Sequence, residues 1–153
     1  MILPILTQEH PTLRFKTVDI MENYPNLNTL ITDMKETMRA ANGIGLAASQ
    51  IGEPINLFVS CLCDYIPGFP EVFINTKIIQ MVGETVIENE ECLSLPGIKG
   101  KVARADIIQI EYFDENFKKM NEYHHSYIAR VIQHEYDHTQ GILFIDKLIT
   151  KKG

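Results

Sequence analysis

An H-E-x-x-H motif, formed by His134, Glu135 and His138, sets the strictest condition on how this sequence can fold. Residues four apart share one face of an α-helix, so both imidazoles can reach one metal ion if this segment is helical. From about Ser126 to Thr139 apolar residues lie on more than one side, which predicts a buried helix. Glu135 lies beside the two histidines, where a general base acting on a water molecule is expected.

A third protein ligand is expected, because two histidines do not hold a catalytic metal ion. Zinc peptidases with this motif take that ligand from a downstream His or Glu, but neither residue type follows His138. Cys92 is the best candidate, since a thiolate brings full charge to the metal and suits Fe(II) or Zn(II). A buried, inert cysteine is the alternative at this position. At this point an H-E-x-x-H-type metallopeptidase remains an alternative function.

The composition is that of an ordinary globular domain. The 153 residues include 14 Lys and Arg against 20 Asp and Glu, giving a formal net charge of -6, and 45% of them are hydrophobic. This length predicts a single domain over residues 1–153, and the acidic balance disfavours nucleic acid as a partner. Three cysteines do not make a disulfide framework, which favours a reducing, cytoplasmic setting. No segment is long and apolar enough to predict a membrane span, and a monomer is expected.

Hydrophobic spacing predicts an α+β fold. A first helix is expected from about Pro25 to Ala41, ended by Asn42-Gly43 because glycine tolerates the left-handed conformation. The small residues of 43–50 predict a tight loop. Strands are predicted over residues 55–63, 72–80, 84–87 and 105–113, with another ending near Glu122. The predicted architecture is antiparallel β-sheets packed around a central helix that carries the H-E-x-x-H motif, plus an N-terminal helix.

Three segments together resemble the signature motifs of the peptide deformylase family. In the order and spacing of that family, they are Gly43-x-Gly45-x-Ala47-Ala48-x-Gln50, Glu90-x-Cys92-Leu93-Ser94-x-Pro96 and Gln133-His134-Glu135-x-Asp137-His138. Pro11-x-Leu13-Arg14 and Arg104 fit as well, so the resemblance covers nearly the whole chain. The H-E-x-x-H motif alone does not separate this family from a protease, whereas the three motifs together do.

The resemblance implies a metal-dependent enzyme that removes the formyl group from the formyl-methionine of new polypeptides and releases formate. Cys92, His134 and His138 would bind one divalent metal ion, which the resemblance implies is Fe(II) in the cell, with Zn, Ni or Co as substitutes. Glu135 would act as general base and then general acid. The partners implied are N-formyl-methionyl nascent peptides, with transient proximity to the ribosome but without a C-terminal docking helix after Asp146.

Further roles around this centre follow from the same resemblance. The side-chain amide of Gln50 and the backbone N–H of Leu93 would hold the oxyanion. The backbone around Gly45 would pair with an extended peptide as an added strand. The remaining substrate-binding residues would be Gly43, Ile44, Tyr127, Arg130 and Val131, the last four at a pocket for the methionine side chain. Partners of the metal ligands are expected at Gln133, Asp137, Glu90 and Arg104.

Four residues depart from the family pattern and bear on substrate preference: Glu88, Glu91, Lys99 and Thr139. Glu91 stands where the family usually has a glycine before the metal-binding cysteine. Lys99 stands where many members of the family have an arginine near the substrate backbone. It keeps the positive charge but lacks the planar guanidinium group. The catalytic set itself contains none of these departures.

Overall fold

The protein forms a five-stranded antiparallel sheet with two helices, in a computed structural model that describes residues 1–149. The helices are α1, Leu27–Ala40, and α2, Ser126–Thr139. The strands are β1 Gly45–Ala47, β2 Leu57–Ser60, β3 Val72–Glu90, β4 Gly100–Phe113 and β5 Lys119–His125, paired in that order. This arrangement confirms the predicted α+β class. Residues 1–149 include no helix with the length and apolar character needed to cross a membrane.

Helix α1 forms where it is predicted, but its end differs in one detail. Met34 and Met38 are fully buried and pack in a cluster with β1 and β2. The left-handed residue at the end is Asn42, with φ 57°, and the N–H of Gly43 donates to the Met38 carbonyl at 2.9 Å. Gly43 instead leaves room for a neighbouring side chain, since a Cβ there would lie 2.6 Å from Leu93 Cδ1 and the leucine would have to shift.

Helix α2 begins and ends at the predicted residues and is buried along most of its length. Ala129 and Ile132 are inaccessible to solvent and pack against the sheet in a second cluster. The helix ends because Gly141 adopts a φ of 74°, and the next N–H, from Ile142, donates to the Asp137 carbonyl at 2.9 Å. The sequence therefore places both candidate histidines on a helix that is held rigidly within the fold.

Strand β3 joins two segments that the sequence predicts as separate strands, 72–80 and 84–87. Its pairing with β4 shifts register between Val82 and Thr85, and Gly83 between them has a φ of 80°. A β-bulge of this kind adds a residue without ending the strand, so β3 continues to Glu90. The bulge thus lets one strand run from the core to the residues beside Cys92.

Strand β1 lies inside the segment predicted to be a loop. Its three residues pair with β2, and a 3-10 turn, Ala48–Ile51, follows at once. Because β1 is the first strand in the sheet order, its second edge is paired with no other strand of residues 1–149. This edge is therefore available to an extended peptide.

Replacing Gly141 with alanine tests the tight end of α2. A Cβ at Gly141 would lie 2.5 Å from the Arg14 carbonyl oxygen, in addition to the cost of the positive φ. Gly68 has a φ of 83° but no atom within 4 Å of a built Cβ, so Gly68→Ala is the matched control. We expect urea unfolding to give a loss of about 1 kcal/mol for Gly68→Ala and about 3 kcal/mol for Gly141→Ala. Equal losses would contradict this account of the helix end.

Candidate metal centre

Three side chains predicted to bind metal lie together, two on α2 and one beside it. His134 and His138 occupy successive turns of the helix, and Cys92 lies two residues beyond the end of β3. One donor atom from each of the three lies within 4.8 Å of the other two. Cys92 Sγ is 3.4 Å from His138 Nε2, and the two imidazole centroids are 5.2 Å apart. The fold thus brings one sulfur and two nitrogen donors to one place.

The imidazole of His134 is held in one orientation by Glu90, the last residue of β3. His134 Nδ1 lies 2.9 Å from Glu90 Oε1, which leaves Nε2 as the metal donor. Phe144 stacks against the ring at a centroid distance of 6.2 Å. Burial disfavours the charged ring, but hydrogen bonds to Cys92 and Glu90 outweigh it and raise the pKa of His134 to about 10. The charged carboxylate of Glu90 beside this ring favours a divalent cation at this position.

Glu90 is the centre of a buried ion-pair network. Its carboxylate accepts two hydrogen bonds of 2.8 Å from Arg104 and one of 2.6 Å from Arg130. Arg104 also donates to Asp137, and none of these four side chains is more than 8% exposed. Burial opposes ionisation, but the hydrogen bonds from Arg104 and His134 hold the pKa of Glu90 well below its usual range. The carboxylate therefore stays charged beside the metal ligand.

Arg130 and Gln133 connect α2 to the sheet. The resemblance places Arg130 at the methionine pocket, and its side chain lines the cleft there, but its guanidinium also donates to the carbonyls of Val102, at 3.0 Å, and Val86, at 2.6 Å. The amide of Gln133 exchanges hydrogen bonds of 2.8 and 3.2 Å with the backbone of Ala105. Within residues 1–149, no hydrogen bond of Gln133 reaches a candidate metal donor. Both residues fix the position of α2 on β4.

Glu135 has a buried carboxyl group that titrates near neutral pH. Burial, together with the charge of Glu90, raises its pKa to about 7 against the opposing charges of His134 and Arg104. Its Oε2 has no hydrogen-bond partner within the described chain. A carboxyl group with this pKa can take up and return a proton at neutral pH. Both properties support its predicted role as general base.

Gly45 on β1 approaches Glu135 so closely that a larger residue does not fit. A Cβ at Gly45 would lie 2.8 Å from Glu135 Oε1 and 2.9 Å from its Cγ. The backbone of β1 therefore packs directly against the candidate general base. The open edge of β1 supports the predicted pairing of Gly45 with a peptide, and contact with Glu135 is a second reason for glycine here.

The side-chain amide of Gln50 lies beside Cys92 and is oriented by its neighbours. Gln50 Oε1 accepts from the Ala47 N–H at 2.9 Å, and Nε2 lies 3.1 Å from Ser94 Oγ and 3.6 Å from Cys92 Sγ. Gln50 and Ser94 are both buried. Ser94 lies in the motif that contains Cys92, but the sequence alone predicts no role for it. Its position two residues after Cys92 is the signal by which this role could have been found.

A cleft of about 850 Å³ opens beside these residues. All six predicted substrate-binding residues line it, together with the three predicted catalytic residues: Gly43, Ile44, Gly45, Tyr127, Arg130, Val131, Glu135, Gln50 and Leu93. Tyr127 is 58% exposed, whereas Val131 is buried. The cleft therefore joins a polar floor at the metal donors to a partly apolar wall from α2.

The donor set fits a divalent metal ion. Burial and the charges of His134 and Arg104 lower the pKa of His138 well below its usual value, which favours the neutral ring that a metal ligand needs. The raised pKa of His134 means that this ring would release a proton when it binds the metal. His138 Nδ1 and Glu135 Oε2 are buried polar atoms without a partner in residues 1–149. The third donor is Cys92, not the downstream His or Glu of zinc peptidases, so the metallopeptidase alternative is not favoured.

Glu135→Gln tests the cost of burying this carboxylate in the metal-free protein. The pKa of Glu135 rises from an ordinary 4.5 to about 7 on folding, so folding favours the protonated form and stability is lost as pH rises from 4.5 to about 7. From about pH 5 to about pH 8, urea unfolding should show the variant gaining about 2 kcal/mol relative to the wild type. Glu84→Gln, on the exposed part of β3, is the control. A pH-independent difference for Glu135→Gln would contradict the assignment.

Both the sequence and the fold match proteins of one family. Residues 2–153 match the family described as polypeptide deformylase. The peptide deformylase of Flavobacterium psychrophilum is 43% identical, over 99% of this chain and 85% of its own. The crystal structure of peptide deformylase from Thermotoga maritima has a TM-score of 0.91 and 33% identity, covering 98% of this chain and 99% of that one. The peptide deformylase from Thermus thermophilus gives 0.90 and 39%, covering 97% and 87%. This chain therefore belongs to the peptide deformylase family.

Proposed function

We propose that this protein removes the formyl group from the N-terminal formyl-methionine of newly made polypeptides and releases formate. The observation that carries the proposal is the convergence of Cys92, His134 and His138 beside the buried carboxyl group of Glu135. Family membership supports the same reaction, since the relatives described above are peptide deformylases. The protein is accordingly a metal-dependent amide hydrolase.

Glu135 moves the proton during the hydrolysis. Its carboxylate accepts a proton from water as the water oxygen attacks the formyl carbon, and it delivers that proton to the amine nitrogen as the C–N bond breaks. The products are formate and a peptide with a free amino terminus. Cys92, His134 and His138 would hold a divalent ion, which would supply Lewis acidity for the carbonyl and the water.

Gln50 and Leu93 stabilise the negative charge that develops on the formyl oxygen. The Gln50 amide is oriented by Ala47 and Ser94 before any substrate arrives. Leu93 follows Cys92 directly and lines the same cleft. Donors that are already in place need no reorganisation during the reaction, which is why they lower its barrier.

The peptide binds along β1, and its methionine side chain enters the cleft. The free edge of β1 and the small residues Gly43 and Gly45 allow an extended backbone to pair there. Ile44, Tyr127 and Val131 supply the apolar wall for the methionine side chain, beside the aliphatic part of Arg130.

Fe(II) is the metal ion that we propose for the cell, with Zn, Ni or Co able to replace it. A thiolate and two imidazoles form a donor set that accepts all four ions. Iron beside a thiolate is open to oxidation, so the loaded enzyme requires reducing conditions. This requirement supports a cytoplasmic location, where new polypeptides are made and cysteines stay reduced.

The protein acts as a single-domain monomer on nascent peptides, near the ribosome. The acidic net charge of -6 disfavours nucleic acid as a direct partner.

The direct test is formate release from formyl-Met-Ala-Ser by protein reconstituted anaerobically with Fe(II), or with Ni(II) as the stable substitute. We expect Glu135→Ala to lower kcat/KM by about three orders of magnitude or more, because the proton acceptor is removed. Glu84→Gln, at an exposed residue that does not line the cleft, should retain wild-type turnover.

Either of two results would overturn the proposed function. One is the absence of formate with every metal of the series Fe, Ni, Co and Zn. The other is wild-type turnover in Glu135→Ala. Cleavage of unformylated casein at a comparable rate would instead revive the metallopeptidase alternative.

A further inference from the structure

Two exposed side chains of opposite charge lie together on the rim of the cleft. Glu91 directly precedes Cys92, and Lys99 directly precedes β4; both line the cleft. Lys99 Nζ lies 3.0 Å from Glu91 Oε1, and their side chains are 71% and 63% exposed. In the described part of the chain, the other charged residues that line the cleft are largely buried: Glu90, Arg130, His134 and Glu135. Glu91 and Lys99 are thus the charges in this cleft that face solvent.

This ion pair is easily opened. An exposed pair of this kind contributes little to stability, because water and salt screen both charges and the long side chains lose freedom by pairing. The buried pairs of Glu90 differ, since each has several fixed donors. A charge on a bound peptide can therefore replace either Glu91 or Lys99 as the partner of the other at low cost.

A bound peptide brings its side chains to this rim if the proposed function holds. The formyl group would then lie at the metal donors and the methionine side chain against Val131, which is buried. The residues that follow would extend toward the exposed part of the cleft lining, where Glu91 and Lys99 lie. Side chains of an extended peptide alternate in direction, so one of the second and third residues faces the Glu91–Lys99 pair.

We propose that the Glu91–Lys99 ion pair, on the rim of the cleft, sets the enzyme's charge preference for the residues that follow formyl-methionine in the substrate. The inference rests on the proposed function and specifies its substrate class. A basic side chain at the second or third position pairs with Glu91, and an acidic side chain pairs with Lys99. Because the two charges offset each other, peptides of either sign are accepted with similar kcat/KM, as suits an enzyme that meets many different new polypeptides.

The test uses Ni(II)-loaded protein and compares formyl-Met-Lys-Ser with formyl-Met-Glu-Ser. A second pair of peptides carries Lys or Glu at the third position instead of the second. The readout is the ratio of kcat/KM for the Lys peptide to kcat/KM for the Glu peptide. In the wild type we expect a ratio within about threefold of one at one of the two positions. At that position, Glu91→Gln should lower the Lys-to-Glu ratio of kcat/KM by about 3- to 10-fold. Lys99→Met should raise the same ratio by about 3- to 10-fold. The double variant should return to the wild-type ratio, and added salt should shrink both single shifts.

Lys101→Met is the matched control, because Lys101 is an exposed lysine of β4 that does not line the cleft, and its ratio should equal that of the wild type. Single variants that leave the ratio within twofold at both positions, or that move it in the same direction, would overturn the proposal while formyl-Met-Ala-Ser is still hydrolysed. No hydrolysis of formyl-Met-Ala-Ser by the wild type would overturn the proposed function itself, and the rim proposal with it.

Discussion

The paired carboxylate of Glu90 is the interaction on which the site depends. It receives hydrogen bonds from Arg104 and Arg130 and fixes the ring of His134, while Arg104 extends the network to Asp137. Two buried carboxylates are thus balanced by two buried guanidinium groups. Removing one partner would leave a charge buried without compensation, which is far more costly than the loss of a surface pair. The network therefore holds the end of β3, strand β4 and helix α2 in the one arrangement that brings the metal donors together.

The chemistry of the site comes at a cost in stability. The Glu135 carboxyl group is buried with one oxygen unpartnered and with a pKa raised to about 7, an arrangement that opposes the charged form. The backbone of Gly45 packs against it and limits the space around it. The same burial that penalises the carboxylate makes it a proton carrier suited to neutral pH. The rigid Glu90 network supports this locally unfavourable group.

Local patterns predicted the elements that carry the site, and tertiary contacts decided the rest. Helical spacing placed His134 and His138 on one buried helix, and the chemistry of the donors pointed to Cys92. The sequence did not reveal that Gly83 forms a bulge within one long strand, that Ser94 orients Gln50, or that Arg130 pairs with Glu90. Each of these depends on the register between distant segments, which no local pattern encodes. The catalytic and substrate-binding roles of individual residues, and the single-domain organisation, remain predictions.

X-ray absorption spectroscopy of the protein loaded with one equivalent of Co(II) tests the metal centre most directly. We expect a first coordination sphere with one sulfur at about 2.3 Å, two imidazole nitrogens and one oxygen donor. Cys92→Ser should remove the sulfur scattering and leave the imidazole contribution. A coordination sphere made only of nitrogen and oxygen in the wild type would contradict the assignment of Cys92. Absence of imidazole scattering from the wild-type spectrum would contradict the convergence of His134 and His138 on one metal ion.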